Sequence, residues 1–322
     1  MIAGMKATAL RGLLALVLAL LLGASPASAT KRIALTFDDV PRGADGFLTV
    51  EDRSRMLIEG LSRAGVVQAA FFLNPANVAE HDDAEERIAA YVAAGHVIGN
   101  HTASHPRLSD TAIEDYIADL DEAAAWLAGR EGYRPWFRFP YLDEGRDDLD
   151  KRDAMRAALA ERGLRNAYVT VNGSDWFYAD AATKALRNGE AVDRDALRDL
   201  YIEVHVGAAN FYEDLAVRAL GRSPAHVMLL HENDLAALWV EDLVVALKAD
   251  GWEIISADEA FADPLAQEAS RYDTPSADGN LIGSVAWERG LAPPLWYEAN
   301  RTKLAEEAFR TRVLGLPAIE ED

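Results

Sequence analysis

Arg32-Ile33-Ala34-Leu35-Thr36-Phe37-Asp38-Asp39 is a short apolar, β-branched and aromatic run that stops at two adjacent acids. A run with no polar alternation is how a strand buried on both faces of a parallel sheet reads, and the helical spacing at 51–64 behind it completes one βα unit. The pattern then repeats. Further strand candidates are 69–74, 96–100, 136–139, 167–171, 227–230 and 253–256, which makes seven with the first. Between them lie helical patterns at 83–94, 110–129, 152–162, 181–221 and 235–250. In 110–129, Ile113, Tyr116, Ile117, Leu120, Ala124 and Leu127 make one stripe, the spacing of a core-facing helix. Strands alternating with helices predict an α/β fold on a parallel sheet.

Outward from this pattern, the ends of the chain read differently. Residues 1–29 carry only Lys6 and Arg11 as charges, then the apolar run from Leu13 to Leu22, then Ala27-Ser28-Ala29. That is the order of a secretory signal peptide, too short in its apolar part to span a bilayer, which needs about 20 residues. An exported protein, periplasmic or extracellular and without a stable membrane anchor, is expected to begin near Thr30. Composition shifts again at Pro264, so 30–263 reads as one barrel-sized domain and 264–322 as an extension packed on it, or equally as a lid. The long 181–221 stretch reads as a helical insertion.

Charge and cysteine count exclude several classes of function. The chain of 322 residues has 53 acidic against 32 basic side chains, a formal charge of −21 that removal of residues 1–29 would deepen to −23. Its field repels polyanions, so nucleic acid is not an expected partner. Cysteine is absent, which excludes disulfides, thiolate zinc sites, iron–sulfur clusters and cysteine nucleophiles. Any metal must be held by His, Asp or Glu.

The polar residues that interrupt the apolar runs fall just after strands: Asp38-Asp39, His101 with His105, Arg138 with Tyr141, Asp175-Trp176, and His231. In a parallel barrel every strand ends on the same face, so these five distant segments would converge on one site. Successive side chains on an extended strand point to opposite faces, so Asp38 and Asp39 can take separate jobs only if the chain turns there. The pair alone reads more readily as solvated or helix-capping acids. His101 and His105 are four apart, the spacing that puts two imidazoles on one face of a helical turn within reach of one ion, with Pro106 keeping the turn short. Two His and one Asp completed by water suit hydrolysis, and the same trio can hold non-haem iron. Arg138 must pair with Asp38 or Asp175, or stack on aromatics and reach water. His81, His96, His205 and His226 have no partner at useful spacing and read as structural or surface residues.

Taken in order, these motifs over residues 32–256 resemble the polysaccharide deacetylases of carbohydrate esterase family 4. The resemblance implies a distorted (β/α)7 barrel that removes acetyl groups from a carbohydrate with one divalent metal ion, zinc first, with cobalt, nickel or manganese as alternatives. It implies Asp38 as general base, Asp39, His101 and His105 as metal ligands, and Arg138 as the group that orients Asp38. Tyr141 would offer its backbone N–H to the oxyanion, Asp175 and Trp176 would line the groove and support the acid or the arginine, and His231 would be the general acid, a role an amide needs more than an ester. N-acetyl substrates are therefore expected ahead of O-acetyl ones. Three positions depart from the family pattern. Val40-Pro41 replaces a glycine after the two acids, Asn172-Gly173-Ser174-Asp175-Trp176 lacks the first acid of its motif, and Glu232 stands after His231 instead of Asp. The rival readings are a hydrolase of small cyclic or other amides on the same fold, and a glycan-binding relative without turnover.

Overall fold

The apolar runs become strands because both of their faces are covered. A computed structural model of the chain describes residues 30–275 and 279–318; the leader expected at 1–29 lies outside the described residues. Among the described residues eight strands form: β1 (Lys31–Val40), β2 (Ala70–Leu73), β3 (Val97–Asn100), β4 (Tyr133–Phe137), β5 (Arg165–Asn166), β6 (Val171–Asn172), β7 (Ala225–His231) and β8 (Trp252–Ile254). Every pairing is parallel, in the order β5-β4-β3-β2-β1-β7-β6. β1 is the centre. Along one edge it pairs β7 from Arg32 to Asp38, and along the other it pairs first β8 and then β2. Its residues from Ile33 to Asp38 are all buried, which explains the unbroken apolar reading.

Seven strands were expected and the fifth is where the structure differs. Residues 167–170 do not form one strand; β5 and β6 are two-residue strands on either side of them. The physical reason is that this segment crosses between the two ends of the sheet. Ala167 N–H donates to Phe137 O on the β4 side at 2.7 Å, and Thr170 N–H donates to Val227 O on the β7 side at 3.0 Å. A segment that serves two edges cannot stay in register with either. The result is a curled parallel sheet with helices packed on it, the distorted (β/α)7 barrel that was expected.

The major helices are α1 (Val50–Arg63), α2 (Ala84–Ala93), α3 (Ile113–Leu127), α4 (Leu149–Glu161), α5 (Asp175–Arg187), α6 (Arg194–Leu220) and α7 (Asp234–Ala249), followed by the short α8 (Ala257–Ala260), α9 (Leu281–Glu288) and α10 (Thr302–Ala308). The expected 181–221 stretch is thus two helices, and the first begins at Asp175. Asp193 caps the second by accepting from Asp195 and Ala196 N–H. In α3 the buried side is Tyr116, Leu120, Ala123 and Leu127. Leu265, Leu281, Ile282, Val285, Phe309 and Val313 share one apolar cluster with Ile33, Phe71 and Leu230, so the last segment contributes to the same core as the strands. Among the described residues no helix is long and apolar enough to cross a membrane.

Candidate active site

Because the sheet is parallel, the C-terminal ends of β1, β3, β4 and β7 open together, and the five predicted segments meet there. The first turn is sharp. Asp39 leaves the extended strand at φ 64, and the β1–β2 register shifts between Phe37 and Val40, so Asp38 and Asp39 part company as two roles require. Asp38 is buried and accepts from Arg138 Nη1 at both oxygens, at 3.0 and 3.1 Å. Arg138 Nη2 reaches Thr36 Oγ1 at 3.3 Å, and its Nε donates to Ala167 O. Of the partners open to Arg138 in the sequence, the structure selects Asp38. Burial lowers the guanidinium's hold on its proton, but Asp38 opposes this.

Asp39 faces the two imidazoles. Its Oδ1 lies 3.4 Å from His101 Nε2 and 3.0 Å from His105 Nε2. The ligand atoms of the three residues all fall within 4.8 Å of one another. The expected helical turn is absent, and His101–His105 is a loop with Thr102 at φ 62 and His105 at φ 60. Side chains hold it. Asn100 Oδ1 accepts from Thr102 N–H, Thr102 Oγ1 accepts from His105 N–H, and Asn74 Nδ2 donates to His101 O. The rings still come together, their centroids 4.8 Å apart.

The trio fits a cation on its own chemistry. His101 Nδ1 sits 2.8 Å from Arg138 O, an acceptor only, so Nδ1 carries the proton and a neutral ring turns its Nε2 lone pair toward Asp39. Asp39 Oδ1 is buried and, despite its short distances to both rings, has no hydrogen bond of acceptable geometry. Lone pairs facing a carboxylate oxygen without a proton between them are what a metal ion satisfies. Burial works against ionising Asp39, while the charge of His231 favours its carboxylate. Its other oxygen takes an ion pair from Arg42 Nη1 at 2.9 Å.

On the opposite side, Asp175 is fully buried and binds His231 twice, accepting from its N–H and meeting its Nδ1, both at 2.7 Å. Asn233 Nδ2 adds a third bond at 2.8 Å while its Oδ1 caps α7. Burial disfavours the imidazolium of His231, but the charge and hydrogen bond of Asp175, with Asp39 and Asp38 beyond, outweigh it and push His231 up to about 9. Trp176 and Tyr141 stay exposed at the mouth. The Tyr141 ring centroid stands 4.5 Å from that of His105, with the Arg107 guanidinium 3.8 Å over the Tyr141 ring. Among the described residues seven non-glycine residues have positive φ, and Asp39, Thr102, His105, Tyr141, Leu142 and Ser174 belong to or adjoin the motifs. Such conformations cost roughly 1–3 kcal/mol each and persist where the surroundings over-determine them.

His96 and His226 are structural. His96 Nδ1 accepts from Ala69 N–H, and burial lowers it to about 4. His226 bridges Thr170 Oγ1 and Glu213. Sequence reasoning missed Arg42, Glu232 as a buried anchor, and Asn233. Only the last carried a local signal, an Asn placed to cap a helix.

Residues 26–166 match the family model for polysaccharide deacetylase, so Asp175 and His231 lie beyond the matched stretch. Peptidoglycan-N-acetylglucosamine deacetylase of Listeria monocytogenes is 23% identical over 242 residues, covering 74% of this chain and 41% of that protein. Chitin deacetylase 2 of Saccharomyces cerevisiae is 29% identical over 147 residues, covering 45% and 39%. The chain spans about two fifths of the length of these curated relatives. A CE4 family pseudoenzyme from Bacillus anthracis shares the fold at a TM-score of 0.50 and 19% identity, over 74% of this chain and 70% of that one.

Proposed function

The chain carries a polysaccharide deacetylase domain, and from that premise we propose that it is a metal-dependent hydrolase removing acetyl groups, N-acetyl ahead of O-acetyl, from a carbohydrate. The observation that carries this reading is the meeting, at one end of the sheet, of an Arg138-bound Asp38, the Asp39, His101 and His105 trio, and the Asp175–His231 pair.

A divalent cation held by Asp39, His101 and His105 would supply a Lewis acid that lowers the pKa of bound water toward about 7. The chain's own groups do the rest. Asp38, fixed by Arg138, takes the proton from the attacking water. The backbone N–H of Tyr141 would serve the developing oxyanion, a kind of donor whose removal costs about 3 kcal/mol. His231, kept protonated by Asp175, hands its proton to the leaving amine, which an amide requires and an activated ester does not. Trp176 and Tyr141 offer exposed aromatic faces to a sugar ring. Zinc is the first candidate for the metal, with cobalt, nickel and manganese behind it. The same reading takes 1–29 as an export leader, 30–263 as the catalytic barrel and 264–322 as an extension on it, with a substrate outside the cytoplasm, in keeping with relatives named for peptidoglycan and chitin.

The test is metal analysis of the purified protein followed by acetate release from chitin oligomers, peptidoglycan glycan and acetylated xylan. Metal-dependent acetate release from a member of this panel is expected. Metal-replete protein that binds these sugars without releasing acetate from any of them would overturn the reading in favour of a glycan-binding relative.

A further inference from the structure

The turn that carries Asp175 is held from outside the motifs. Asn172 Oδ1 accepts from Ser174 N–H at 2.8 Å, Ser174 takes φ 54, and the chain reverses so that Asp175 begins α5 against His231. A residue with a side chain stays in that left-handed region only when its surroundings impose it. Two distant segments supply those surroundings. Asn300, in the 264–322 segment, donates from Nδ2 to Asn172 O at 2.7 Å, and its Oδ1 is buried without a hydrogen-bond partner. From α6, the His205 ring fills the space beside Gly173. A Cβ there would stand 2.6 Å from His205 Cδ2, so only glycine fits. The His205 ring is itself fixed, with Nδ1–H donating to Tyr201 O at 2.6 Å.

We infer that Asn300 and His205 are positioning residues of the acid step: together they lock the 172–174 turn and, through it, the aim of Asp175 at His231. The insertion and the C-terminal segment are then working parts of the site. This rests on the reading of His231 as general acid, although the geometry it describes does not. The charged groups facing His231 are Asp175, Asp39 and Asp38, with Asp180 on α5 and His205 on α6 also within its field.

The test uses Asn300→Leu, which keeps the branch at Cγ, adds no charge and removes the donor. Titration of the His231 ring by NMR in metal-free full-length protein reads the aim directly. Its midpoint is expected to fall by about one unit, the scale of one weakened charge-assisted hydrogen bond. In metal-loaded enzyme kcat on an N-acetyl substrate should fall about tenfold with KM unchanged, while an activated aryl acetate, whose leaving group needs no proton, keeps its rate. Asn300→Gln, which returns an amide donor, should recover part of the loss. Gly173→Ala disturbs the same turn from the α6 side, should move both readouts the same way, and carries the test if Asn300→Leu does not fold. An unmoved His231 midpoint, or equal losses on amide and ester, overturns the inference. A lowered midpoint together with full amide turnover in His231→Ala would instead remove His231 as the acid and leave the positioning intact.

Discussion

Arg138 and Asp38 stand one hundred residues apart in sequence, and Nη1 of the first donates to both carboxylate oxygens of the second with both side chains almost wholly buried. A buried pair is costly to break on one side, because the remaining charge has neither water nor partner. Arg138→Met should therefore destabilise the fold by about 3–5 kcal/mol in urea unfolding. Asp38→Asn keeps the shape and one acceptor for Arg138, so it should cost less, about 1–3 kcal/mol, and leave metal content near normal while turnover falls by about a hundredfold or more, the scale of a lost general base. Near-native turnover in Asp38→Asn with normal metal content would remove it as the base.

His101, its Nδ1 engaged by Arg138 O, meets Asp39 and His105 only in the folded chain, so metal binding stabilises the folded state. At a metal concentration a hundred times Kd the gain is about 2.7 kcal/mol. Scanning calorimetry should show a higher Tm with zinc, cobalt, nickel or manganese and a reversal by chelator. His105→Ala and Asp39→Ala should each lose bound metal and the Tm response. Metal-independent melting of the wild type, with no ion retained, counts against the site.

His231 is pushed up to about 9 from an ordinary 6.5, so the sign of its contribution is fixed. Its stabilising pair with Asp175 is fully present below about pH 6.5 and is lost as pH rises through about 9. The same proton serves catalysis, so rates on an amide substrate should fall on an alkaline limb near pH 9. Asp175→Asn removes the charge that holds the proton and should bring that limb down by one unit or more. A pH–rate profile checks this, and a limb that stays in place in Asp175→Asn would dissociate the pair from the reaction.

Why some of this was readable from residues alone is a matter of range. Ile33 to Phe37 lie buried on both faces of the sheet, so their side chains announce a parallel strand locally, and acids or imidazoles after such runs announce a strand end. Asp38, His101, Arg138 and His231 were legible for that reason. The split of 167–171 was not, since it depends on two sheet edges contributed by β4 and β7. Nor was the shape of the His101–His105 loop, which Asn74, just after β2, holds from a neighbouring strand. Asn300 meets Asn172 across 128 residues, and no periodicity encodes such a contact.

Glu232, a departure from the family pattern, turns out to be an anchor. Its buried carboxylate accepts from Tyr91 Oη–H at 2.7 Å, from Arg42 N–H at 2.7 Å and from Arg87 Nη1 at 3.3 Å. Burial, with the charge and hydrogen bond of Glu232, pushes the Tyr91 hydroxyl well above its ordinary range. Arg42 in turn pairs with Asp39, so Glu232 fixes the loop behind a candidate ligand through one backbone N–H. Removing the carboxylate leaves the Tyr91 and Arg42 donors unpaired and Arg87 with Asp83 as its one remaining acid. Glu232→Ala should then cost about 3–5 kcal/mol in urea unfolding, and Glu232→Gln, which keeps an acceptor, about 1–3 kcal/mol. Because groups that orient ligands tune affinity by about 10–100-fold, Glu232→Ala should also weaken metal binding in a competition titration by about tenfold. A variant as stable as the wild type with unchanged affinity would show that the loop is held by Arg53 and Asp234 instead, whose 2.7 Å ion pair lies just behind it.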